Sequence, residues 1–138
     1  MEFPQAFWQG VDEFNAGEFY PCHDTLEAIW LEAIDPDKTF FQGILQIAVG
    51  YYHLSNHNWK GCLILLGEGT NRLRRYRPEY ETIDVETLFL GAIDSLQTLQ
   101  QAGEDRVAEF AAKYGLSGDA TDPPTLPLPK IQTVESST

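Results

Sequence analysis

Twenty-one consecutive residues, Thr39 to Trp59, contain no Asp, Glu, Lys or Arg. Within them Phe40, Phe41, Ile44, Leu45, Ile47, Ala48, Tyr51 and Tyr52 cover most of a helix circumference. A helix that is apolar nearly all round is a central one. The length suits a membrane span, but Gln42, Gln46, His53, Asn56, His57 and Asn58 are too polar for lipid. The expectation is a buried core helix from Asp37 or Lys38 to Leu54, carrying one polar stripe. Gly43 and Gly50 lie seven residues apart on one face. They would let a second helix approach closely, at an intrinsic cost of roughly 1 kcal/mol each.

The rest of the chain reads as helices separated by clear punctuation. A first helix is expected from Pro4 to Asn15, with Phe3, Phe7, Val11 and Phe14 at helical spacing and Gly17 as its stop. A second runs from Pro21 to Ala33 and is broken at Asp35-Pro36, because a residue before proline avoids the α region. Asn58 is the expected N-cap of a fourth helix, Trp59 to Arg75, and Asp84 that of a fifth, to Gln101. A loop holding Pro78 joins them, and a short sixth helix covers Glu104 to Tyr114. No strand is expected. Short connections favour antiparallel neighbours, so the fold class is all-α: a single-domain antiparallel bundle of about five to six helices over residues 1–114. Residues 115–138 hold four of the eight prolines and read as an extended or disordered tail.

Charge narrows the partners. The net charge is −12, and residues 1–37 carry nine acidic side chains and no Lys or Arg. Such a surface repels phosphate backbones and anionic lipid, so no nucleic-acid or membrane partner is expected. Arg72, Arg74, Arg75 and Arg77 form the one basic cluster, read as cations at a helix C-terminus or as a docking patch for acidic residues. Cys22 and Cys62 sit in apolar helical contexts with no metal or redox spacing, which suggests reduced core thiols. Met1-Glu2-Phe3 opens with no basic n-region and no cleavage pattern, so no leader is expected, and the expected location is cytoplasmic.

Chemistry-bearing residues concentrate on two helices. His23, Glu27 and Trp30 share one face of the second helix, with Asp24 beside them. Gln42, Gln46 and His53 share a face of the third, followed by His57 and Asn58. If the two helices are antiparallel, these stripes could meet inside the bundle. Three readings are open: a satisfied hydrogen-bond network fixing helix register, a small-molecule pocket with His and Glu as an acid–base pair, or a metal site. The spacings are neither HExxH nor the Glu-x-x-His of di-iron bundles, so no metal is assigned and the cofactor is left open.

The run Phe14-Asn15-Ala16-Gly17-Glu18-Phe19-Tyr20-Pro21-Cys22-His23-Asp24-Thr25-Leu26-Glu27-Ala28-Ile29-Trp30 resembles the signature of the family called domain of unknown function 309. Phe41-Gln42-Gly43, Gln46, Ala48, His53 and Asn58-Trp59-Lys60-Gly61 resemble its second half. The resemblance spans roughly residues 7–75 and implies an all-helical fold, with no activity to carry over. It places motif residues at Asn15, His23, Asp24, Glu27, Trp30, Gln42, Gln46, His53 and Asn58. The family pattern has Glu at Asp24 and Ala at Cys62, and the shorter carboxylate alters any geometry built on position 24.

The resulting expectation is an internal polar cluster binding a small ligand. His23 would be the general acid or base and Glu27 its orienting partner. Asn15, Asp24, Trp30, Gln42, Gln46, His53 and Asn58 would be ligand contacts. The alternative is a helical interaction module, a homo-oligomer or a protein-partner scaffold, in which the cluster is structural.

Overall fold

The computed structural model describes residues 3–117 and 123–134. Its elements are α1 (Gln5–Asn15), α2 (Phe19–Glu32), α3 (Asp37–Ser55), α4 (Trp59–Leu73), β1 (Glu79–Tyr80), β2 (Ile83–Asp84), α5 (Val85–Ala102) and α6 (Val107–Lys113). The described residues are all-α apart from one hairpin of two-residue strands.

α3 is the central helix, with ten buried residues from Phe40 to Leu54. It packs on α2 and α4, while α1 covers α2 and α5 covers α4. The α3–α4 contact is close because glycine faces glycine. A Cβ on Gly69 would lie 2.8 Å from the carbonyl oxygen of Gly43 and 3.0 Å from the amide nitrogen of Ile47. Gly50 meets Leu66 in the same interface.

Local signals set the helix ends. Asn58 Oδ1 accepts the Gly61 N–H at 2.9 Å, and Asp84 Oδ1 accepts that of Thr87 at 3.0 Å, each satisfying a donor the helix leaves open. α2 begins two residues before the expected Pro21. The proline sits in the first turn, where its missing N–H is not needed. α4 tightens into a 3₁₀ turn at Arg74–Tyr76, and a second 3₁₀ turn precedes α6.

The segment expected to be a loop contains the hairpin. Its turn places Glu81 and Thr82 at φ +49° and +71°, a geometry usually announced by Asn-Gly or Asp-Gly. Neither dipeptide is present. Thr133 bridges Ile83, and the Asp84 N–H donates to Gln132 O at 2.8 Å. The described part of the tail therefore lies extended against the hairpin, with Ile131 in the core.

Two core facts bear on chemistry. Tyr51 is fully buried, its hydroxyl donates to Ser95 Oγ at 2.8 Å, and burial pushes its pKa up. Cys22 and Cys62 are free, and burial raises both thiols to about 12. They carry almost no thiolate at neutral pH and behave as small apolar side chains.

Candidate functional site

On α2, the spacing of Tyr20, His23 and Glu27 lines them along one face, where Tyr20 is exposed. His23 Nδ1 lies 3.2 Å from Asp24 Oδ1, and Nε2 lies 3.2 Å from Glu27 Oε2. The imidazole is about one-third exposed and the two carboxylates more so. Ion pairs in such a setting contribute little to stability. A neutral imidazole has one N–H and can donate to only one of the two carboxylates at a time.

Facing this from α3 are Val49, Tyr52 and His53, also on one helix face by spacing. The rings of Tyr20 and Tyr52 are 5.2 Å apart, those of Tyr20 and His23 6.2 Å. Together these five residues line a surface cleft of about 140 Å³. His53 is held from behind. Its Nδ1 is 3.3 Å from Asn58 Nδ2. Because Asn58 Oδ1 is committed to the Gly61 amide, the side chain presents its NH₂ to the ring. His53 Nδ1 must then accept, which puts the proton on Nε2. That N–H has no hydrogen-bond partner among the described residues.

The polar residues therefore do not form one internal cluster. His23, Asp24, Glu27, His53 and Asn58 gather around the surface cleft, but the other four lie elsewhere. Asn15 faces the tail: its Nδ2 donates to Ile131 O at 2.9 Å, and Oδ1 accepts the Ile131 N–H at 2.7 Å. Gln46 turns to α4, where Nε2 donates to Glu68 Oε2 at 3.0 Å. Gln42 opens on a separate groove with Thr39, Asn71 and three arginines. Trp30 carries Lys38 over its ring at 4.7 Å. The physical reason is rotation: α3 turns its Gln42–Gln46 edge toward α4, while Val49, Tyr52 and His53 look toward α2.

α3 ends at Ser55, and His57 sits in the turn at φ +60°. The helix therefore does not carry His53 and His57 to one ion as an i, i+4 pair. No group of three or more His, Cys, Asp or Glu side chains is placed to hold a metal among the described residues. Three cleft residues escaped the sequence reading: Tyr20, Val49 and Tyr52. Their signal was present at i−3 from His23 and at i−4 and i−1 from His53, but apolar and aromatic residues at helical spacing first suggest core.

Residues 7–65 match the family model described as domain of unknown function (DUF309). The chain is 30% identical over 86 residues to the uncharacterized protein YpuF of Bacillus subtilis strain 168. That match covers 59% of this chain and 47% of the relative, so the chain spans about half the length of the curated relative it matches. All five lining residues of the cleft, and Asn58 behind it, lie inside the family match. No helix among the described residues is long and apolar enough to cross a membrane.

Proposed function

We propose that the cleft between α2 and α3 is a recognition site for a small neutral aromatic group carrying one hydrogen-bond acceptor. The observation that carries this is His53. Its tautomer is set by the Asn58 cap, and its unpartnered Nε2–H belongs to a ring that lines an apolar cleft. The volume of about 140 Å³ is close to the roughly 150 Å³ of an apolar cavity that binds benzene. Tyr20, Tyr52 and Val49 supply the walls. Asp24 and Glu27 place negative charge beside His23 and disfavour an anionic ligand.

The site is read as binding rather than catalytic. Both His23 nitrogens lie 3.2 Å from carboxylates of its own helix, which favours His23 as part of the wall. A location in the cytoplasm is supported by the two free thiols.

The test is NMR titration of the full chain with benzamide, benzoate and benzylamine. Benzamide is expected to shift Tyr20, Val49, Tyr52 and His53 resonances, with benzoate weaker by several-fold. Val49→Trp should fill the cleft and abolish the shifts. Shifts that persist in Val49→Trp, or none anywhere at millimolar benzamide, would sink the proposal.

A second reading has its own support. Leu31 and Ile34 are 62% and 81% exposed, and Ile34 edges a groove of about 310 Å³ with Pro4, Ile29, Ala33 and Phe41. Exposed apolar groups around a groove favour a protein partner or a second copy. Light scattering of wild type against Ile34→Glu separates these: a wild-type dimer that the substitution dissociates would support self-association.

A further inference from the structure

Of the nine Lys and Arg residues, Arg77, Arg106 and Lys113 lie against carboxylates. Arg72, Arg74 and Arg75 make no ion pair with a carboxylate among the described residues. On a chain with 21 acidic side chains, these three arginines line one groove of about 380 Å³. Thr39 and Gln42 of α3 and Asn71 of α4 complete its walls. That volume falls within the range of small-molecule sites.

Two of the arginines are held by aromatic rings. Arg74 lies 5.3 Å from the Phe89 centroid. Arg75 lies 5.2 Å from that of Tyr76, with Nη2 donating to the Tyr76 hydroxyl at 3.2 Å. Stacking of this kind orients a guanidinium without neutralising it. The dipole of α4 accounts for cations at its C-terminus. It does not account for the carboxamides of Gln42 and Asn71, which open on the same groove and have no hydrogen-bond partner among the described residues. The neighbouring carboxylate, Asp35, makes its hydrogen bonds to Thr39 and not to an arginine: its Oδ1 accepts both the N–H and the O–H of Thr39. Those bonds first, and the charges of Arg75 and Lys38 after them, hold its carboxyl below the usual range.

We propose that this groove binds a small phosphate-bearing molecule, with Arg72, Arg74 and Arg75 on the phosphate and Gln42 and Asn71 as neutral donors. Three planar donor forks offer more N–H groups than one carboxylate can accept, and they match the oxygens of a phosphate. The groove is larger than a single phosphate requires, so the ligand is a phosphate ester or a diphosphate. This site is separate from the His53 cleft and does not depend on it.

Calorimetry of the full chain with pyrophosphate, citrate and a short single-stranded oligonucleotide tests the proposal, at low salt and at about 0.15 M, where surface charge is largely screened. Pyrophosphate is expected to bind at both salts, more tightly than citrate. Arg72→Gln/Arg74→Gln should weaken it by at least about tenfold, with an unchanged circular dichroism spectrum. Gln42→Ala should weaken it by about threefold, a loss that a diffuse basic patch would not produce. If the double variant fails to fold, resonance mapping on wild type replaces it, and shifts centred on Thr39, Gln42 and Asn71 are expected. Equal affinity of wild type and variant overturns the proposal. So does citrate matching pyrophosphate, binding that vanishes at the higher salt, or an oligonucleotide that binds where pyrophosphate does not.

Discussion

The carboxamide of Asn15 pairs edge-on with the backbone of Ile131, 116 residues away, donating to its carbonyl at 2.9 Å and accepting its N–H at 2.7 Å. Lys130 Nζ reinforces the join by donating to the Asn15 carbonyl at 2.6 Å. One side chain thus does for the tail what a neighbouring strand would do. Replacing it leaves two backbone groups of Ile131 without partners. Asn15→Ala is expected to cost about 1–3 kcal/mol in urea unfolding. Hydrogen exchange should rise at residues 129–134 before it rises in α3. Uniform exchange across the chain would contradict a local role.

The glycines of α4 separate packing from propensity. Gly69→Ala drives a Cβ into the α3 backbone at Gly43 and Ile47, which cannot yield as a flexible side chain would. A loss of about 2–3 kcal/mol is expected. Gly67, two residues away, has nothing within 4 Å of where a Cβ would sit. Gly67→Ala should therefore stabilise the helix by about 0.5–1 kcal/mol. Thermal unfolding of the two variants should move in opposite directions.

Tyr51 and Ser95 join α3 to α5 through one buried hydrogen bond. Tyr51→Phe is expected to cost about 1–2 kcal/mol, because Ser95 Oγ loses a buried partner. Tyr51→Phe combined with Ser95→Ala should cost less than the sum of the single changes. A double-mutant cycle with no coupling would show that the two hydroxyls act independently.

Glu109 accepts from Arg106 and Lys113, which together draw its pKa down to about 2 from an ordinary value of 4.5. A carboxylate whose folded pKa is depressed contributes stability above its unfolded pKa and loses it as pH falls through the folded one. The contribution of Glu109 is therefore present above about pH 4.5 and fades toward pH 2. The group is exposed, so the effect is small. The stability difference between wild type and Glu109→Gln, followed by urea unfolding, should shrink over that interval and be steady above it.

His23→Ala tests the surface placement directly. A buried network member would cost roughly 2 kcal/mol or more. An imidazole about one-third exposed between two exposed carboxylates should cost less than about 0.5 kcal/mol. Denaturant unfolding at neutral pH distinguishes the two.

Much of the fold was legible because helix signals are local. A cap bonds three residues on, an apolar stripe repeats within four, and a proline or glycine stops a helix where it stands. Asn58 and Asp84 cap where their positions suggested, and the glycines of α3 do admit a neighbour. The site was legible only in part. His23 and His53 do line one cleft, with Asp24, Glu27 and Asn58 against them, but Asn15, Trp30, Gln42 and Gln46 leave for other surfaces. Spacing says which residues share a helix face; it does not say which neighbour that face meets. That depends on how each helix is rolled about its axis, which the packing of Gly43 on Gly69 and of Leu26, Phe40 and Tyr51 in the core decides. The hairpin and the docked tail belong to the same category. Their partners are distant in sequence, and Asn15 offers no local sign that its carboxamide will meet Ile131. Sequence alone determined the helices and, to within a few residues, their ends, because those are made by residues within a few positions of one another. Only the tertiary structure decided which polar groups converge, because convergence is a property of helix rotation and long-range contact.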